Sequence, residues 1–194
     1  MGSSSNSGGR RLGRAFYDRP TRTVARDLLG RVLKARGPDT VRAARIVEVE
    51  AYVANDAASH AFRGLTERNR SMFARPGTLY VYRIHQVVCA NLVTRPGDAV
   101  LLRAGAPVDE GSGNPSGPGR LCRYLGITQD DDGTDTTRRG RVYVVPGVRR
   151  ALDSRILTSP RVGITRAVDR PLRFSVEGDP WVSRPRPRGV FTSA

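Results

Sequence analysis

Apolar residues along this chain recur with two spacings, and the switches between them predict the order of its elements. From Thr21 to Leu29, Val24, Ala25, Leu28 and Leu29 fall on one stripe of a 3.6-residue turn, and Gly30 follows where helices commonly stop. Arg31 to Arg36 then reads as a strand, Gly37-Pro38-Asp39 as a turn, and Val41 to Tyr52 as a longer strand of alternating character, together a hairpin. Thr78 to Ile84 and Val87 to Val93 are β-rich runs separated by His85-Gln86, and Ala99 to Ala106 extends them into an antiparallel meander. Downstream, Gly111 to Gly119 predicts a loop, Arg120 to Leu125 a helix and Asp130 to Arg141 a charged excursion. Three further strands are expected over Arg141 to Val145, Arg161 to Thr165 and Leu172 to Val176. A Ser/Gly/Arg stretch over residues 1–14 reads as a disordered basic arm, with order beginning near Phe16, and residues 185–194 as a Pro/Arg tail. No internal repeat is present.

Alternation also sorts the side chains of the second strand. Glu48, Glu50 and Tyr52 share one face and Val47, Val49 and Ala51 the other, which predicts a buried apolar face and a presented carboxylate pair. Two carboxylates this close feel each other, and in a desolvated site one becomes a better base for activating water. The same pair would also serve an exposed strand face balanced by arginines. In the next hairpin Tyr80, Tyr82 and Ile84 lie opposite Leu79, Val81 and Arg83, so the tyrosines suit either a core or a stacking platform. The irregular stretch Val53 to Pro76 is too long for an idle connection.

Composition changes the picture in one respect. The 194 residues suit a single domain, and they carry a net charge of +15 almost entirely as arginine, Lys34 being the only lysine. Guanidinium forks suit phosphate contacts, so the economical partner is a polyanion, although G+C-rich codons also favour arginine. No apolar run approaches the roughly 20 residues that span a bilayer, which predicts a protein with no membrane association. Cys89 and Cys122 lack metal-ligand or redox spacing and are expected as free, buried thiols; with only His60 and His85 besides, no zinc pattern can be assembled.

Several blocks point further. Arg45-Ile-Val-Glu-Val-Glu-Ala-Tyr52, Asp56-Ala-Ala-Ser-His60, Arg68-Asn69 with Met72-Phe73, and Gly77-Thr-Leu-Tyr-Val-Tyr82 resemble the alkyladenine (3-methyladenine) DNA glycosylases. Asn91, Ala99-Val-Leu-Leu-Arg103, Gly117-Pro-Gly-Arg-Leu-Cys122, Arg161-Val-Gly-Ile164 and Pro171-Leu-Arg-Phe174 with Pro180-Trp-Val-Ser183 follow in the family's order. The resemblance implies one α+β domain over residues 15–184, with a curved antiparallel sheet in a partly open barrel, peripheral helices and a protruding β-hairpin. It implies a monomeric, cofactor-free enzyme that flips a damaged purine out of double-stranded DNA and hydrolyses its N-glycosidic bond. Glu50 would be the general base, and Arg103 and the backbone carbonyl of Val162 would hold the water. Tyr52 and Tyr82 would sandwich the base, with His60 on the opposite wall and Asn91 near the exocyclic edge. His85 would be the wedge at the hairpin tip, where many relatives carry tyrosine, and Arg68, Asn69 and Met72 would face DNA.

An alkylated, cationic purine both stacks favourably on electron-rich rings and leaves readily, so positioning and a base matter more than a strong acid. Lys34 lies outside every matched block, so no amine nucleophile is expected and the product would be an abasic site. The expected setting is the bacterial cytoplasm, at the nucleoid. Two other readings stay open on sequence: a non-catalytic nucleic-acid-binding protein, and a sheet module of the kind that binds RNA in transfer-RNA formyltransferases.

Overall fold

The computed structural model describes residues 10–108, 113–138, 140–147, 155–187 and 190–191. Most of the arm, part of the loop expected at Gly111 to Gly119 and parts of the tail lie outside these residues. The helices are α1 (Arg14–Tyr17), α2 (Thr21–Leu28) and α3 (Pro118–Leu125). The strands are β1 (Val32–Arg36), β2 (Val41–Tyr52), β3 (Leu79–Ile84), β4 (Val87–Arg95), β5 (Asp98–Pro107), β6 (Val142–Val145), β7 (Ile156–Ser159), β8 (Arg173–Val176) and β9 (Val190–Phe191).

These strands form one curled antiparallel sheet in the order β3-β4-β5-β2-β8-β7-β9, with β1 joining β2 to β6. The fold is α+β, a half-barrel with few helices. β2 sits at its centre, paired with β5 along one edge and with β1 and then β8 along the other. The meander β3-β4-β5 and the β1-β2 hairpin are as alternation predicts.

The helices cover one face because their stripes match it. Val24, Ala25 and Leu28 of α2, with Leu29 just beyond its end, are fully buried, and α2 packs on β2, β4 and β5. Its first residue is tied to the β4-β5 turn, where Thr21 Oγ1 donates to Asp98 Oδ2 at 2.9 Å. α3 lies on β4 and β5 and ends at Gly126, whose φ of 67° suits a glycine cap. In β3 the alternation separates two cores: Leu79 and Val81 join the main cluster with α2 and α3, whereas Tyr80 joins a smaller one with Ala61, Met72, Val93 and Ala99. Tyr52, Phe73 and Tyr82 pack against that second cluster and edge the site described below.

Two expectations are corrected, and two elements are added that the sequence reading did not name. Order begins before Phe16: the Leu12 N–H donates to the Val144 carbonyl at 2.9 Å, and α1 starts at Arg14. Arg161 to Thr165 forms no strand, because Pro160 lacks a backbone donor and Gly163 turns the chain at a φ of 77°. The tail returns to the sheet, where Val190 and Phe191 pair with Thr158 and Leu157 of β7, a strand too short to stand out in the sequence. The long connection after β2 contains a 3-10 helix, Glu67–Phe73, with a capping box between Thr66 and Asn69.

Among the described residues no helix is long and apolar enough to cross a membrane. Cys89 and Cys122 are free and buried, and burial pushes the Cys122 thiol up to about 12.

One close approach locks the helix layer to the sheet. A Cβ at Gly105 of β5 would meet Ala44 Cβ at 2.8 Å and Leu121 Cδ1 at 3.2 Å. Gly105→Ala is therefore expected to destabilise the fold by about 1–3 kcal/mol, read from urea unfolding. An unchanged midpoint would show that α3 can shift away.

Candidate active site

The centre of the site is a register break in β2. Pairing with β5 runs Ile46 to Gly105, Glu48 to Ala104 and Val49 to Leu102, so the ladder skips Val47 on one side and Arg103 on the other. Bulges of this kind re-aim side chains. Here the break brings Arg103 against both carboxylates of β2.

Glu48 and Glu50 are fully buried, which corrects the expectation of a presented pair. Burial of a carboxylate requires partners, and the two residues find different ones. Glu48 Oε1 accepts from Arg103 Nε at 3.0 Å, Arg173 Nε at 2.7 Å and Ser183 Oγ at 3.0 Å, and Oε2 accepts from the Ser183 N–H at 2.7 Å. It ties β2, β5, β8 and the segment after β8 together. Glu50 Oε1 accepts from the Val162 N–H at 2.9 Å and lies 3.3 Å from Arg103 Nη1, whereas Oε2 accepts from the Tyr52 hydroxyl at 2.8 Å. An ionised carboxylate oxygen accepts about two bonds, so Oε2 of each glutamate, with one donor apiece, leaves one acceptor position.

Burial alone would weaken the charge on Arg103, but the pull of Glu50 and Glu48 outweighs it and raises its pKa above the ordinary value. Burial, and then the neighbouring Glu50, raise the Tyr52 phenol far above its usual range, so this hydroxyl stays protonated and donates.

In front of Glu50 lies a cavity of about 650 Å³ whose wall includes Tyr52, His60, Tyr82, Asn91, Arg103 and Val162. Seven of the residues singled out in the sequence thus come to one place: six line the cavity, and Glu50 sits behind three of them. Met72 and His85 also reach its lining. The contact made by Val162 runs through its N–H, where the resemblance names the carbonyl.

Tyr82 and His60 meet edge to face, with ring centroids 4.5 Å apart and planes at 70°, and His60 Nδ1 is 2.9 Å from the Tyr80 hydroxyl. Asn91, opposite Tyr80 in the β3-β4 ladder, donates Nδ2 to the Tyr80 carbonyl at 3.1 Å. Partial burial, and then the charge of Arg68, hold the His60 imidazole below its ordinary value of 6.5.

At the hairpin tip Ile84, His85, Gln86 and Val87 are exposed, and His85 turns the chain at a φ of 51°, a conformation histidine tolerates better than most residues. Arg68, Arg83 and Arg166 are exposed around the cavity. Asn69 is buried: its Nδ2 donates to the carbonyls of His60 and Gly64, and its Oδ1 accepts from Thr66. Its structural effect is to shape the loop carrying His60.

Sequence reasoning missed three participants. Arg173 and Ser183 complete the Glu48 cage, and Arg161, bound to Asp56, lies beneath the Tyr52 ring. All sit inside the blocks that carry the resemblance, but nothing in a sequence shows which charges are buried against each other.

Two outcomes follow from this geometry. Glu48→Ala leaves buried guanidinium groups without their carboxylate and is expected to cost about 3–5 kcal/mol in urea unfolding; a loss under about 1 kcal/mol would contradict the cage. The His60 ring should titrate with an NMR midpoint below 6.5, moving upward in Arg68→Ala. Because the folded pKa is depressed, the stability tied to the neutral ring is intact above 6.5 and is lost as pH falls from there through the folded midpoint. A wild-type midpoint at or above 6.5 would contradict the lowered imidazole.

Comparison with known proteins identifies the family. The methylpurine-DNA glycosylase (MPG) family model matches residues 15–180. Relatives named "Putative 3-methyladenine DNA glycosylase" include one from Methanoculleus marisnigri, 46% identical over 88% of this chain and 97% of its own length. Another, from Methanocella arvoryzae, is 43% identical over 92% of this chain and 98% of its own. A third, from Anaeromyxobacter dehalogenans, is 45% identical over 91% of this chain and 87% of its own. A family model spanning most of the chain, and relatives this similar over nearly their whole lengths, mean that the chain belongs to the methylpurine-DNA glycosylases, base-excision-repair hydrolases acting on N-glycosyl bonds.

Proposed function

We propose that this glycosylase takes an alkylated purine out of duplex DNA into the cavity and hydrolyses its N-glycosidic bond with a water activated by Glu50, leaving an abasic site. The observation that carries the reading is the state of Glu50. It is clamped by Val162, Arg103 and Tyr52, and all three of these residues line the cavity. Glu48, whose partners Arg173 and Ser183 are not among the residues lining the cavity, is left to hold Arg103 and the strands in place.

The chemistry then needs little else. Water held by Oε2 and the Arg103 side attacks the anomeric carbon; as the new C–O bond forms, the C–N bond breaks, its electron pair leaves with the base, and the water's proton passes to Glu50. An N-alkylated purine is cationic and accepts that pair readily, so no strong acid is required. Tyr52 and Tyr82 supply the stacking faces. A neutral His60 adds no repulsive charge to the wall. Arg68, Arg83 and Arg166 at the rim suit the phosphates of duplex DNA, in keeping with the net charge of +15. The exposed tip around His85 suits the gap left by the flipped nucleotide, with Met72 and Asn69 supporting the wall from within.

The same reading makes the enzyme monofunctional, monomeric and free of metal or cofactor. Lys34 lies in β1 opposite Ala43 and Tyr143, away from the residues that line the cavity, which supports hydrolysis by water over attack by an amine.

Glu50→Gln keeps the shape and removes the base. Free-base release from duplexes carrying 3-methyladenine or 7-methylguanine should fall at least about 100-fold, with the melting transition and DNA affinity retained. Release at the wild-type rate would assign the chemistry elsewhere.

A further inference from the structure

The Arg161–Asp56 pair lies outside the chemistry just described, yet it touches both walls of the cavity. The Arg161 side chain is fully buried, with Nη1 2.5 Å from Asp56 Oδ2 and donating to the Ala51 carbonyl at 3.1 Å. Its Nε and Nη2 have no oxygen acceptor. The Tyr52 ring explains them: the guanidinium carbon lies over it, 4.6 Å from the centroid, so the ring face takes the place of an acceptor. Tyr52 lines the cavity and Arg161 does not, which puts the cation on the face turned away from the base site.

We propose that Arg161, neutralised by Asp56, is a specificity-determining residue that sets how strongly the Tyr52 ring attracts a positively charged purine relative to a neutral one. The inference rests on Tyr52 being a stacking face for the flipped base. A cation bound to one face of an aromatic ring draws on the same π density that would attract a cation on the other, and the two positive charges also repel through the ring. Arg161 therefore weakens the preference of the site for cationic lesions, and Asp56 limits that effect. Arg170 Nη1, 3.7 Å from the same Asp56 oxygen but half-exposed, adds a solvent-screened charge. Glu50 contacts the hydroxyl end of Tyr52 and is unchanged in every variant below. The pair also anchors the main chain on both sides: Asp56 Oδ1 accepts from the Ala58 N–H at 3.0 Å, ahead of His60, and Arg161 precedes the Val162 N–H that holds Glu50. A merely structural pair would shift all lesions together, whereas an electrostatic one must change their ratio.

The test measures equilibrium affinity for duplexes carrying 7-methylguanine or hypoxanthine on a 2′-fluorinated sugar, which binds without turnover. Asp56→Asn, which leaves the cation uncompensated, should lower the ratio of 7-methylguanine to hypoxanthine affinity roughly three- to tenfold. The double variant Asp56→Asn with Arg161→Gln removes both charges at similar volume and should raise it by a similar factor. Arg161→Lys should stay within about twofold of wild type. A ratio unchanged in the first two, or moved in the same direction by both, overturns the proposal. Should Asp56→Asn lose its cooperative melting transition, the contrast between Arg161→Lys and the double variant decides alone. Free-base release by the wild type from ordinary duplexes is followed in parallel: its absence would sink the catalytic reading, while the affinity ratio still judges the role of Arg161.

Discussion

The fold is organised around one requirement, that two glutamates buried at the centre of a sheet be matched by guanidinium groups from distant parts of the chain. Glu48 meets it with Arg103 from β5 and Arg173 from β8, and Ser183 closes the remaining sides. Because an unpaired buried carboxylate would be costly, these strands cannot drift apart without exposing or orphaning a charge. The register break in β2 belongs to the same solution, since it is what places Arg103 within reach of both carboxylates.

That arrangement separates two roles that identical side chains could otherwise blur. Glu48 accepts from Arg103, Arg173 and Ser183, of which only Arg103 lines the cavity, and so it is architecture. Glu50, two residues along, shares Arg103 but is finished by the Val162 N–H, from a segment outside the strands, and a tyrosine that also edges the cavity. Its immediate surroundings are the ones a ligand could alter. The stacking wall follows the same logic of shared parts: Tyr80 steadies His60, Asn91 bonds the Tyr80 carbonyl, and Arg161 backs Tyr52. The rings of His60 and Tyr52 are thus each held by a neighbour.

Much of this was legible in the residues. The bounds of β2, the meander, the α2 stripe and the opposite facing of Leu79 and Tyr80 all follow from periodicity, because period two and period 3.6 map directly onto faces. Alternation says which residues share a face, but not whether something covers it. Glu48 and Glu50 therefore read as presented, although Arg173, 125 residues from Glu48, and Ser183 seal that face. Arg161 to Thr165 shows the reverse error, an apolar-looking run whose Pro160 and Gly163 outweigh its β propensity. Of the residues that the family blocks name, Tyr52, His60, Tyr82, Asn91, Arg103 and Val162 line the cavity, whereas the N–H contact of Val162 and the position of Arg161 depend on local backbone geometry that residue types do not encode.

The central claim is that Glu50, and not Glu48, stands in position to activate water against the sugar of an extruded purine. A crystal structure with duplex DNA bearing a purine lesion on a 2′-fluorinated sugar tests it most directly. The base should lie between Tyr52 and Tyr82, with one water within hydrogen-bond reach of Glu50 Oε2 on the line of attack at the anomeric carbon. A base lodged elsewhere, or a Glu50 still sealed from solvent with no water between it and the sugar, would contradict it.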